Sequence, residues 1–178
     1  MGVDLRRLKA VVDGLGYDFA RFTIDDFAAY LSRRRGREIV MVPFSLPPNL
    51  YGAWLASVSI DYIFFDATAP EIHASYIKLH EFSHMLLGHD TLEVSADLQG
   101  LLASSLRPEE APHSMLNLVG ALCRDETLIH SPLSPVEQEA ESLARVIQLR
   151  VFSYHRQAEL TQERFHAVDQ WAQGLGFE

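Results

Sequence analysis

Between Glu71 and Leu87 the apolar residues Ile72, Tyr76, Leu79 and Phe82 recur at three- and four-residue steps, with no Pro or Gly among them. That spacing predicts a helix, and Gly88 marks its stop. Upstream, Val3, Leu5, Leu8, Val11 and Val12 predict an amphipathic helix over 3–13, ended by Gly14 and Gly16. Thr23 reads as the cap of a second helix, with Asp25 and Asp26 in its first turn and Phe27, Ala28, Tyr30 and Leu31 on its apolar side. After Gly36 the period changes. Glu38–Phe44, Tyr51–Ala56 and Asp61–Asp66 are short and rich in β-branched and aromatic residues, as strands are. Pro47-Pro48-Asn49 is a turn, and Thr68 reads as the cap of the 71–87 helix.

Beyond His89 the pattern predicts a helix over 92–106, a loop at 107–112 and a helix over 114–122. Ser131–Pro135 is a break. A long helix then runs from Val136 to about Tyr154 or His155, and a last amphipathic helix from Thr161 to Gly174. No repeat or domain boundary interrupts the chain. The expectation is one α+β domain over 1–178, with a small, mostly antiparallel or mixed sheet of about three strands packed on helices, and a helical insertion at about 90–130.

Composition narrows the function classes. The 178 residues are 48% apolar and 22% charged, ordinary for a globular domain with a real core. No apolar run reaches the roughly 18 residues that span a bilayer, and no signal-peptide core is present, so no membrane partner and a cytoplasmic location are expected. The lone cysteine, Cys123, permits no internal disulfide and reads as a small buried hydrophobe. A net charge of −9 argues against direct nucleic-acid binding. The basic cluster Arg33, Arg34, Arg35 and Arg37 reads as a solvated helix C-terminus complementing the dipole.

The chemistry lies in His80-Glu81-Phe82-Ser83-His84, an H-E-x-x-H motif inside the 71–87 helix. Residues four apart on a helix differ by about 40° around its axis, so both histidines point one way and can hold one metal ion. Glu81 projects beside them, able to reach a water on that metal without being a ligand. A catalytic zinc takes three protein ligands and keeps one open position. The best source of a third is the stretch 136–144, where Glu137 and Glu141 share a helical face and Glu139 points about 200° away from Glu137. Glu137 also fits a capping box with Ser134 as N-cap and Pro135 at N1, which would fold it back on its own helix and leave Glu141 as ligand. His89 reads as a helix-end residue near the last carbonyls, and His73 as a partly buried histidine flanking the cleft. His130, Tyr154 and His155 are candidates for stabilising an oxyanion.

The two motifs, His80-Glu81-Phe82-Ser83-His84-Met85-Leu86-Leu87-Gly88-His89 and Glu137-Gln138-Glu139-Ala140-Glu141-Ser142-Leu143-Ala144, resemble those of the ImmA/IrrE-type metallopeptidases. Glu141 stands where that pattern has Asn or Asp, and Leu143 where it has Phe. The resemblance implies a zincin-like fold with the H-E-x-x-H motif on a central helix. It implies one Zn2+ per chain, or another divalent metal, on His80, His84 and Glu137. Glu81 would be the general base, and Glu141 an acid orienting a histidine. The implied activity is that of a zinc-dependent endopeptidase, a regulatory protease with a narrow protein or peptide substrate such as a repressor. The alternative is a non-catalytic, metal-stabilised interaction module of a toxin–antitoxin or phage-type system.

Overall fold

The computed structural model describes residues 2–46, 50–56, 59–90, 92–93 and 134–174. The expected helical insertion, Cys123 and His130 lie outside the described residues. The elements are α1 (Leu5–Asp13), a 3-10 turn at Phe19–Arg21, α2 (Ile24–Arg35), β1 (Glu38–Phe44), β2 (Gly52–Ala56), β3 (Ile60–Asp66), α3 (Glu71–Leu87), β4 (Leu92–Glu93) and α4 (Pro135–Gly174). The class is α+β.

Local chemistry sets most boundaries. The Asp4 carboxylate accepts from the backbone of Arg6 and Arg7 and starts α1 two residues later than its apolar pattern suggests. Thr23 caps α2 through the Asp26 N–H, and Gly36 closes it in the left-handed region at φ 65°. Thr68 does not cap α3. Its N–H and hydroxyl both donate to Asp66 in the preceding turn, and Pro70 opens the helix with no side-chain cap. The two helices expected over 136–155 and 161–174 are one continuous helix, α4. The residues between, Arg156–Leu160, include no Pro or Gly and are strong helix formers, so nothing breaks the run.

The sheet order is β1-β3-β2-β4. β3 pairs with β1 in parallel and with β2 antiparallel, and β2 pairs with β4 in parallel. The sheet is therefore mixed, the second of the two expected forms. Leu92–Glu93, expected to open a helix, instead line up beside Leu55 and Ala56.

Side chains alternate across β3. Ile63 faces the helices and joins a core with Leu8 and Val12 of α1, Phe27 and Leu31 of α2, Phe82 of α3 and Leu143, Ala144 and Ile147 of α4. Tyr62 and Phe64 lie on the other face with Leu55. On α4, Ala140, Leu143, Ala144 and Ile147 are fully buried, the i, i+3, i+4, i+7 stripe that seats this helix against α3 and α1.

The arginine cluster is a solvated helix end only in part: Arg33 and Arg34 are exposed, whereas Arg35 and Arg37 turn inward. Arg35 and Arg37 both bond the fully buried carboxylate of Asp61, at 3.1 and 3.0 Å, and the Trp54 indole N–H donates to it at 3.2 Å. Arg35 also reaches the Met85 carbonyl near the end of α3, and Arg34 bonds the Leu15 carbonyl. Only charged partners make a carboxylate tolerable at that depth, and here they come from the end of α2 and the start of β1. Arg35 and Arg37 thus clamp α2, the sheet and the C-terminal end of α3 together.

Candidate metal centre

α3 carries His80, Glu81 and His84 past its midpoint. The Nε2 atoms of His80 and His84 are 3.1 Å apart. The third donor comes from the first turn of α4. Glu137 Oε2 lies 3.0 Å from His80 Nε2, and its Oε1 lies 3.4 Å from His84 Nε2. In a tetrahedral site with metal–donor distances of about 2.0–2.2 Å, neighbouring donors stand about 3.3–3.6 Å apart. The observed spacings, 3.0, 3.1 and 3.4 Å, lie on that edge length or a few tenths of an ångström below it, and two imidazoles with one carboxylate are a donor set that zinc accepts. These three residues place a donor atom each within 4.8 Å of the others.

Glu137 makes half of the capping box. The Ser134 hydroxyl accepts from the Glu137 N–H at 3.2 Å, so the cap forms from the serine side. The glutamate carboxylate does not return to its own helix end but faces the histidines. Charge assistance favours that choice: an imidazolium donor binds a carboxylate more strongly than a neutral amide does. Burial alone would raise the Glu137 carboxyl, but the hydrogen bonds to His80 and His84 outweigh it and hold its pKa at about 2. Burial pulls His80 down, yet the Glu137 bond and the charges of Glu81, Glu137 and Glu141 leave it above its ordinary value.

Glu81 is nearly inaccessible, 7% exposed, on the side of α3 that faces β2. Burial pushes its pKa up, partly offset by His80 and His84, and the Trp54 backbone N–H donates to it. Strand and helix approach closely here. A Cβ at Gly52 would lie 2.6 Å from Glu81 Oε1 and 2.6 Å from Ile77 Cγ2. The glycine is what lets the strand backbone and the Glu81 carboxylate occupy adjacent space.

Glu141 is not among the converging donors. Its Oε2 sits 3.6 Å from His80 Nδ1, the nitrogen that faces away from Glu137. Its Oε1 pairs with Arg145 at 2.7 Å, and the Tyr76 hydroxyl donates to it. Burial would raise Glu141, but Tyr76 and Arg145 bring it below the usual carboxylate range. Burial and then the Glu141 carboxylate push the Tyr76 hydroxyl up to about 12, against an opposing pull from Arg145.

His89 does more than end the helix. Its backbone N–H closes α3 on the His84 carbonyl, while its ring turns back so that Nδ1 lies 3.0 Å from His84 Nδ1. Its Nε2 faces Glu139 Oε2 at 3.5 Å, and the Glu139 carboxylate also takes Arg7 Nη1 at 3.0 Å. His73 is exposed rather than partly buried, its ring 5.9 Å from that of Tyr51. Tyr154 and His155 are too distant to serve an oxyanion at this centre. At about 1.5 Å per residue along α4 they lie roughly 25 Å from Glu137. His155 instead lines a groove of 720 Å3 that continues the α3–α4 seam past Tyr76, between Ile72 and Leu79 on one side and Leu149 and Phe152 on the other.

Gly52, Tyr76 and Glu139 escape a reading of the sequence for chemistry. A lone glycine inside a strand does signal close backbone approach. The other two depend on how α3 and α4 dock, which no local pattern carries.

Compared with known proteins, the chain matches no family model, no curated protein and no solved structure, so the resemblance to the ImmA/IrrE-type enzymes stands on the residues of two helices alone.

Proposed function

We propose that this protein is a zinc-dependent metallopeptidase of the ImmA/IrrE-like, zincin type, acting on a protein or peptide substrate. The observation that supports this most is the delivery of Glu137 from α4 to the Nε2 atoms of His80 and His84, with Glu81 held beside them but out of the donor set. Zinc on these residues supplies Lewis acidity, lowering the pKa of a water and polarising a carbonyl. Glu81 takes the proton from the attacking water and passes it to the leaving amine. Its buried setting suits the task, because a carboxyl with a raised pKa holds a transferred proton more readily than a free one. His80, backed by Glu141 on its other nitrogen, and His84, backed by His89, hold the donor geometry. The apolar groove beyond Tyr76 offers room for side chains of an extended peptide.

The rival reading, a structural metal site in a binding module, calls for a closed, four-ligand shell. Glu141 and His89, which could complete such a shell, stand on the Nδ1 sides of His80 and His84 and not among the converging donors, which favours the open, catalytic arrangement. The deciding experiment compares the purified protein with Glu81→Gln by metal analysis and by proteolysis of candidate substrates. The expected outcome is about one zinc in both proteins and hydrolysis only in the parent. Hydrolysis unchanged in Glu81→Gln would refute the catalytic reading.

A further inference from the structure

Two rows of side chains meet at the metal centre and run on beyond it. On α3 the row is His84, His80, Tyr76 and Ile72, and on α4 it is Glu137, Glu141, Arg145 and Leu149. Each four-residue step turns a row by about 40° around its helix, so three steps turn it by about 120°. A row that faces the neighbouring helix at the metal therefore faces solvent at its other end. The exposures follow that turn: His84 is buried, whereas Ile72 is 88% and Leu149 67% exposed. Between the outward ends of the two rows lies the groove of 720 Å3, with Phe152 in the same wall as Leu149 and 62% exposed. Single exposed apolar residues are ordinary on a protein surface, but three large ones converging on one concavity mark a binding site. Arg145 stands where the metal centre gives way to the groove. Glu141 takes its Nη2 at 2.7 Å, and the Tyr76 hydroxyl takes a further N–H. A guanidinium has five N–H donors and this side chain is 69% exposed, so donors are left for a bound carboxylate.

We propose that this groove is the specificity subsite of the peptidase. It takes a substrate segment with an acidic residue held by Arg145 and a bulky apolar residue two positions further from the scissile bond, seated among Ile72, Leu149 and Phe152. The inference rests on the peptidase reading above and names the substrate class for it. Helix rise sets the spacing. At about 1.5 Å per residue, Arg145 lies about 12 Å from Glu137 along α4, and the Leu149–Phe152 stretch about 18–22 Å. An extended peptide advances about 3.3 Å per residue, so these points correspond to about four and about six residues from the scissile bond. Alternate residues of an extended chain face one side, which lets both side chains enter the same groove. Glu71 opens α3 at the end away from the metal, so the acidic residue belongs at the Arg145 end and the apolar one beyond it. The overall charge of −9 does not reverse this preference, because at physiological salt charges more than about 8 Å away are largely screened.

The test uses the full chain and has a binding arm and a cleavage arm. In the first, the Glu81→Gln protein is titrated with acetyl-Ala-Glu-Ala-Phe-Ala-amide and with acetyl-Ala-Phe-Ala-Glu-Ala-amide, which covers the opposite chain direction. Control peptides carry Lys in place of Glu or Ala in place of Phe. Methyl NMR of isoleucine and leucine reports contact at Ile72 and Leu149. The expected result is that one chain direction shifts both methyl signals and binds about tenfold more tightly than either control, the effect of one charge-assisted contact. Adding Arg145→Glu should turn the preference toward the Lys peptide, a gain that a merely misfolded variant cannot show. In the second arm, the zinc-loaded parent digests a synthetic mixed-sequence peptide library, and mass spectrometry maps the cleaved bonds. Asp or Glu should be enriched about four residues from the bond, and Phe, Leu, Ile or Met about six residues from it on the same side. Peptides that leave Ile72 and Leu149 unmoved, equal binding of the Glu and Lys peptides, or cleavage without that enrichment would overturn the proposal. If the parent cleaves nothing, the peptidase reading fails, and the binding arm still decides whether the groove takes this segment.

Discussion

Gly52→Ala is the smallest change expected to disturb the centre without touching a metal donor. The added methyl would lie 2.6 Å from both Glu81 Oε1 and Ile77 Cγ2, against 3.4–4 Å for ordinary contact. Neither neighbour can simply swing away. Ile77 is 4% exposed and packed, and Glu81 is 7% exposed and holds the Trp54 N–H. The strand cannot retreat either, since β2 is bonded along its length to β3. Overpacking of this kind costs about 1–3 kcal/mol. For a chain of this size that lowers the melting temperature by roughly 2–4 °C per kcal/mol. Displacing the Glu81 carboxylate by about 1 Å would reduce hydrolysis on the order of 100-fold. Zinc content should not change. The assays are a thermal melt, metal analysis and a peptidase assay on one preparation. A Gly52→Ala protein that melts and hydrolyses like the parent would show that the close approach of β2 to Glu81 is not a constraint.

Further tests address the donors and the clamp. His80→Ala combined with His84→Ala should abolish zinc binding in equilibrium dialysis; full retention would remove the site. Glu137→Ala should weaken zinc in a chelator titration by more than Glu141→Ala, because Glu137 faces both Nε2 atoms whereas Glu141 stands behind His80. In the metal-free protein the His80–Glu137 pair should stabilise the fold over a defined pH window. Glu137, held at about 2 against an unfolded value of about 4.3, contributes above the unfolded value and loses that contribution as pH falls through the folded one. His80, raised above about 6.5, contributes below that value and loses its contribution as pH rises through its folded pKa. The melting temperature of the parent should therefore exceed that of Glu137→Gln most between about pH 4.5 and 6.5. A difference that is flat across pH would contradict the pairing. Asp61→Ala strands two arginines and an indole N–H and should cost about 3 kcal/mol in urea unfolding, whereas a loss under 1 kcal/mol would show that the clamp is idle.

The sequence was most legible where a residue acts on its immediate neighbours. Thr23 and Gly36 bound α2, and Gly88 ends α3, because caps and left-handed glycines are local devices. The histidine pair was legible for the same reason, since one helical turn fixes its geometry. Glu137 could not be separated from a capping residue, because Ser134 does make the cap and only the docking of α4 on α3 shows where the carboxylate goes. The parallel pairing of β1 with β3 was equally hidden: three short apolar runs do not say which neighbours which. The arginine run looked like a helix end facing water because Asp61, the charge that draws two of them inward, lies 24 and 26 residues away. Across Arg156–Leu160 the two expected helices run on as one, because no breaker stands between them.

Glu137 is only the third residue of α4. Its backbone is held by Ser134 rather than by a full turn of helix before it. The first turn of any helix lacks half its internal bonds and opens more readily than its middle. His80, by contrast, sits well inside α3, and His84 lies in a last turn closed by Gly88 and the His89 N–H. A metal bound here is therefore fastened firmly on one side and by a fraying end on the other. Its residence time becomes a property of how often that end unwinds, so a serine that never meets the metal acts as the latch on its escape.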